Sequence, residues 1–323
     1  MEIQKMSQAI ANTQSNWTDL ILPLIIILGV AVLIALIISL IQKLLHKKTT
    51  FVLITAILIV IGSLGLTAYT ANLFNVQALV AQYRNQYVAQ QVQKKATLHV
   101  NRQQIQKMVM RDQNTQDQFE KVGFVAIPSQ SILLPIYNDA YSVAGLNLGA
   151  DYANRYPEDP TGKNIPVMGQ GNYGLAAHNF NDGKTGFSGL QKDLNANAPY
   201  LINGKLGESD WLNGQDVYLA NQTGIYDYKI TNQVTKEETD SEVLAPTDQA
   251  QLTIVSCLFP DTSKRIITQA TLKKTYSWQS APNKMVGYFN LKVQNTNARA
   301  DWFNPGTEEG ANGDAGGTKS VQK

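Results

Sequence analysis

Between Leu20 and Ile41, and again between Phe51 and Ala71, the chain carries no charged residue. Each run matches the roughly 20 residues that a helix, rising about 1.5 Å per residue, needs to cross a hydrocarbon core about 30 Å thick. Lipid offers the backbone no hydrogen-bond partners, so such runs are committed to helix. Residues 1–71 therefore read as a helical membrane hairpin, spanning at about 20–41 and 51–71. A cleaved leader fits poorly: the first run is too long, no basic cluster precedes it, and no small-x-small exit follows it. The connection from Gln42 to Thr50 holds Lys43, His46, Lys47 and Lys48, whereas the first nineteen residues set Lys5 against Glu2 and Asp19. Basic loops stay cytoplasmic, which predicts a multi-pass protein of the plasma membrane with everything after Ala71 on the extracellular face.

The rest of the chain must supply the function. Of 323 residues, 27 are basic and 25 acidic, a net charge of +2 that gives nucleic-acid binding no support. Residues 72–121 are rich in Gln and Asn and free of Pro, with Leu79, Val80, Tyr83, Tyr87 and Val88 three to four apart. This spacing predicts a helical stalk, fraying in the polar stretch 111–118. His99 lies in it and reads as a solvated surface imidazole.

The texture changes at Gly123. Short β-branched or aromatic runs bounded by Gly, Pro, Asn and Asp follow: 124–127, 132–137, 165–168, 172–178, 216–220, 225–232, 252–257 and 265–272. They predict an all-β sandwich or barrel over 122–280. A hairpin is expected to turn at Asn221–Gly224, and a short helix fits 186–194. Residues 281–323 form a C-terminal extension in which 285–293 could add a strand, and the Gly-rich tail from about 304 lacks the apolar content to fold.

Within the β region the reactive side chains are few. Cys257 is the only cysteine, so no intramolecular disulfide exists, and it closes the apolar run Gln251–Cys257. His178 follows a run of small residues, Gly174–Ala177, at an expected strand end. Arg265 opens the run after Cys257, so a turn returns it beside the thiol. A thiol with a proton carrier and a fixed cation suits nucleophilic catalysis. Taken singly, each has a plainer reading: a buried small hydrophobe, a structural imidazole, a solvated guanidinium. One cysteine and three scattered histidines give no zinc spacing, and no phosphate-loop or dinucleotide pattern occurs, so no metal or cofactor is expected. Acidic clusters at 151–159 and 237–242 offer calcium ligands or, more simply, solvated loops.

At this point the sequence resembles a family, the class A sortases, over about residues 123–278. The similarity rests on MGQGNYGLAAHN (168–179), TIVSC (253–257), KRII (264–267), and Ile127-Pro128 with Leu134-Pro135-Ile136. The resemblance implies an eight-stranded sortase β-barrel and a cysteine transpeptidase that cuts a Leu-Pro-x-Thr-Gly sorting signal between Thr and Gly. It implies His178, Cys257 and Arg265 as catalytic residues, and Ala176, Val255 and Ser256 lining the substrate groove. It also implies surface proteins bearing that signal as donors and the amine of a lipid-linked peptidoglycan precursor as acceptor. The chain departs from the family at Ile254 (usually Leu), at Ser256 (usually Thr), in a longer segment 192–213, and in its hairpin where one anchor is common. The aromatic lid motif and C-terminal membrane helix of pilin-polymerising relatives are not visible. Two other readings remain: a thiol peptidase in which water resolves the thioester, and a non-catalytic membrane-anchored β-domain for adhesion or envelope scaffolding.

Overall fold

The computed structural model describes residues 17–46, 48–70, 76–97, 100–110 and 119–298. Lys47, His99, the polar stretch 111–118 and the Gly-rich tail lie outside the described residues. Residues up to Leu79 and those from Val80 onward form two compact units.

The first unit holds helices α1 (Trp17–Leu44) and α2 (Phe51–Thr70). Both are long and apolar enough to cross a membrane. They pack through small residues: Ala31 and Ala35 are buried, and a Cβ on Gly62 would stand 2.5 Å from Ile27 Cγ2. Leu33, Leu36, Leu40, Val52, Leu53 and Leu64 face outward, as expected where the solvent is itself apolar. At the turn, Gln42 Oε1 accepts the Thr50 N–H at 3.0 Å, closing the hairpin.

Helix α3 (Val76–Lys95), which belongs to the second unit from Val80 onward, and α4 (Arg102–Val109) precede the sheet. The strands are β1 (Lys121–Ile127), β2 (Ile132–Tyr137), β3 (Ala150–Tyr152), β4 (Asn172–Ala177), β5 (Leu201–Ile202), β6 (Lys205–Leu206), β7 (Glu208–Ser209), β8 (Asp216–Ala220), β9 (Ile225–Glu237), β10 (Gln251–Cys257) and β11 (Lys264–Tyr276). Helix α5 (Val143–Leu146) lies between β2 and β3, and α6 (Asn283–Gly287) follows β11. The sheet runs β11-β10-β4-β3-β2-β1-β8-β9-β7, and β9 also pairs with β11. That last pairing closes eight strands into a barrel, with β7 attached to the outer end of β9. β4 and β10 are parallel, as are β2 and β3; the other pairs are antiparallel.

Strand periodicity decides which residues fill the barrel. Val125, Ile127, Leu134, Ile136, Leu175, Leu219, Leu252 and Ile254 point inward to one core. Their neighbours Phe124, Ala126, Leu133, Tyr218 and Ala220 point outward into a second core shared with α4, α6, Trp278 and Phe289. Helices thus cover the outer wall of β1, β2 and β8. Arg102 fastens this layer by donating to the carbonyls of Trp278 and Ala281, both at 2.7 Å.

Two expectations are corrected. The run 165–168 is loop, because Pro166 cannot donate to a ladder and Ile165 and Val167 stay exposed. The short strand β3 stands in the sheet instead. The run 285–293 begins as helix α6 and packs as turns, since Gly287 lies too close under the Ala96 carbonyl for any side chain to fit. Beyond it, Asn297 bridges two elements. Its main chain and Oδ1 bond Leu133, and its Nδ2 donates to the carbonyls of Lys184 and Gly186 at 2.8 and 3.0 Å.

Candidate active site

β4 narrows to Gly174, Leu175, Ala176 and Ala177 for a steric reason. A Cβ on Gly174 would meet the Ala153 carbonyl at 2.1 Å, so only glycine lets the adjoining chain pass this close. The parallel register of β4 and β10 pairs Ala176 with Val255. Two residues further along each strand stand His178 and Cys257. Side chains alternate, and Leu175, Leu252 and Ile254 face the barrel interior, so Ala176, His178, Val255 and Cys257 share the outer face. On the other side of β10, Cys257 lies directly opposite Arg265 of β11, and opposed residues of an antiparallel pair share a face. Strand ends thereby bring imidazole, thiol and guanidinium to one level of three adjacent strands, each partly exposed. Ala176 and Val255, also partly exposed, lie just below them on the same face.

Ser256 departs from its expected place in the groove. Alternation turns it inward, where it is 2% exposed and its Oγ has no hydrogen-bond partner among the described residues.

Past β4 the chain reverses through Gly186, whose φ of +60° and whose approach to the His178 carbonyl exclude a side chain. The Phe187 N–H donates to that carbonyl at 2.8 Å, and the Phe180 ring packs edge-on to the imidazole at 5.4 Å. His178 Nε2 lies 3.1 Å from Asn147 Oδ1, just beyond α5. With that oxygen accepting, Nε2 carries the proton and Nδ1 keeps the lone pair.

Burial pushes the His178 pKa down to about 4. Burial also pushes the Cys257 thiol up; the Arg265 charge pulls it down, and Glu238 opposes that pull. At neutral pH both groups are therefore uncharged, and the resting site is a thiol beside a neutral imidazole. Arg265 is held in place: Nη1 donates to the carbonyls of Thr262 and Lys264 at 2.8 and 3.1 Å, and Nη2 pairs with Glu238 at 3.1 Å.

Asn147 and Glu238 take part in this geometry although the sequence reading passed over the first and assigned the second to an acidic cluster. Neither lies near its partner along the chain, so only the fold reveals them. Several of the acidic residues offered for calcium are engaged or buried. The Asp159 carboxylate accepts the N–H groups of Lys163 and Asn164, Asp151 is fully buried in β3, and Glu237 pairs with Lys264. Among the described residues no three His, Cys, Asp or Glu side chains group as a metal site.

Residues 125–273 match the family model of the sortase domain. These residues form a sortase domain. The chain is 26% identical to sortase A of Listeria monocytogenes over 199 residues, 61% of this chain and 77% of that one. It is 28% identical to sortase A of Streptococcus agalactiae over 277 residues, 79% of this chain and 98% of that one. Among solved structures, the sortase A crystal structure from L. monocytogenes aligns with a TM-score of 0.40 at 26% identity, covering 52% of this chain and 97% of the other. With a sortase domain the chain is a cysteine transpeptidase of cell-wall sorting; sortases act on surface proteins that carry sorting signals and on peptidoglycan precursors.

Proposed function

We propose that the protein is a membrane-anchored transpeptidase that cleaves Leu-Pro-x-Thr-Gly between Thr and Gly, with Cys257 as nucleophile, His178 as proton carrier and Arg265 as anion stabiliser. The observation that carries this reading is the shared face and level of the three side chains on β4, β10 and β11. As the Thr carbonyl arrives, the Cys257 S–H proton passes to the imidazole, and sulfur adds to the carbonyl carbon. The oxygen takes the negative charge, which the Arg265 guanidinium stabilises. Collapse breaks the Thr–Gly C–N bond, and His178 gives its proton to the departing amine, leaving a thioester. An incoming amine then loses a proton to His178 and attacks the thioester; the thiolate leaves and is reprotonated. Protons balance among thiol, imidazole and amines, so the cycle includes no cofactor. Ala176 and Val255 would floor the substrate groove.

The acceptor is the amine of a lipid-linked peptidoglycan precursor, which suits a catalytic unit tethered at the extracellular membrane surface. The basic loop Lys43–Lys48 between two apolar helices supports that orientation. In detergent micelles the full chain, given a Leu-Pro-x-Thr-Gly peptide and an amine, is expected to release the Gly-containing fragment and yield the ligated product. Ligation by Cys257→Ala at the parental rate would overturn the mechanism, and cleavage without transfer would replace it with hydrolysis.

A further inference from the structure

The paired residues of the β4–β10 ladder end at Ala176 and Val255, below the level of imidazole and thiol. Above that point two buried side-chain amides join the strands. Asn179, next to His178 but turned to the opposite face, is 4% exposed, as is Gln191. The Asn179 Nδ2 donates to the Cys257 carbonyl at 2.8 Å and to Gln191 Oε1 at 2.9 Å, while its Oδ1 accepts the Asn181 N–H at 2.8 Å. Gln191 Oε1 also accepts the Phe259 N–H at 3.0 Å, and its Nε2 is shared among the carbonyls of Phe259, Asp193 and Ala196 at 2.7, 2.9 and 3.2 Å. The pair thus grips the chain at Cys257 and at Phe259, on either side of the fully buried Leu258.

Burying two amides costs desolvation that an apolar pair of similar size would avoid, so the gain is in geometry. Both polar side-chain atoms of Asn179, itself the neighbour of His178, are used, and one bond runs to the main chain of Cys257. A reaction that passes a proton between sulfur and imidazole is sensitive to their separation, and a displacement of about 1 Å costs on the order of 100-fold.

We infer that Asn179 and Gln191 are positioning residues of the transfer reaction: their amide pair continues the β4–β10 junction past the end of the ladder and sets the spacing between the His178 imidazole and the Cys257 sulfur. The inference rests on the roles proposed above for those two residues.

The test compares full-length parent, Asn179→Ala, Gln191→Ala, the double variant and Val286→Ala in micelles. Val286 is buried in the helix layer over β1, β2 and β8 and serves as a destabilised control. Two readouts are taken: kcat and KM with the sorting peptide and an amine, and the pH midpoint of Cys257 alkylation by iodoacetamide. In each amide variant kcat is expected to fall about tenfold or more with KM within about twofold. The alkylation midpoint is expected to move down toward the ordinary cysteine value of about 8.5 as burial relaxes. The double variant is expected to fall no further than the worse single one, because the two amides act as a unit. Unchanged kcat and midpoint in folded variants, or equal losses in Val286→Ala at matched melting temperature, would overturn the inference. Should Asn179→Ala not fold, Gln191→Glu, which keeps the acceptor and loses the donor, carries the same comparison. If the parent itself forms no ligated product, the transfer reading fails, while the alkylation midpoint still decides whether the amides position the thiol.

Discussion

The barrel has two unlike outer walls. Over β1, β2 and β8, alternate side chains are apolar and lie under α4, α6, Trp278 and Phe289, so that wall is dry. Over β4, β10 and β11, the outward residues near the strand ends are small or polar and partly exposed, and main-chain groups are held by the amides of Asn179 and Gln191. One fold has placed stability on one side and reactivity on the other. Substitutions on the two walls should therefore separate cleanly into stability effects and rate effects.

The largest expected effect tests the covered wall. Trp278 is 1% exposed, packs edge-on to Phe289 and donates Nε1–H to the Asn221 carbonyl at 2.8 Å. Trp278→Ala is expected to cost about 3–5 kcal/mol in urea unfolding, with kcat of the folded fraction unchanged. A proportional loss of kcat would break the division.

On the open wall, Arg265→Lys keeps the charge but loses the planar fork that bonds the Thr262 and Lys264 carbonyls and Glu238. A kcat loss of about 10²–10³ is expected in the peptide ligation assay, with stability changed by no more than about 1 kcal/mol, because Glu238 is exposed. Loss of stability without loss of rate would reverse the assignment.

His178 gives the comparison a pH axis. Its folded pKa, near 4, lies below the unfolded value of about 6.5, so its contribution is present above pH 6.5 and lost as pH falls toward 4. Between those values the parent should lose about 2–3 kcal/mol relative to His178→Gln in paired urea titrations. Parallel curves for the two proteins would show that the imidazole is not held neutral by burial.

The smallest effect concerns Ser256. Its hydroxyl is buried without a partner among the described residues, so Ser256→Ala should change stability by less than about 1 kcal/mol and leave the KM for sorting peptide unaltered. A shift in KM would return the residue to the groove.

Local chemistry made much of this architecture legible before any coordinates. β2 and β8 begin and end where their alternation and flanking turn residues say they should. The hairpin turns at Asn221, whose N–H donates to the Gly224 carbonyl. Thiol, imidazole and guanidinium could be singled out because so few reactive groups occur in the β region. β3 was not legible, since Ala150–Tyr152 is too short to show a period, nor was α6, whose apolar residues suit either conformation. Ser256 was assigned by resemblance, and strand parity moved it to the opposite face. Asn147, Glu238 and the Asn179–Gln191 pair act through partners distant in the chain, a relation that composition and spacing do not encode.

Asn297 sits beyond the segment that matches the domain family, yet it ties an edge of β2 to the turn that follows the imidazole. A recombinant fragment trimmed at residue 273 would cut β11 three residues short and lose Trp278, α6 and this cross-brace. The smallest piece recognisable by ancestry is thus shorter than the smallest piece expected to hold its proton carrier still, and expression boundaries are better drawn after Ala298.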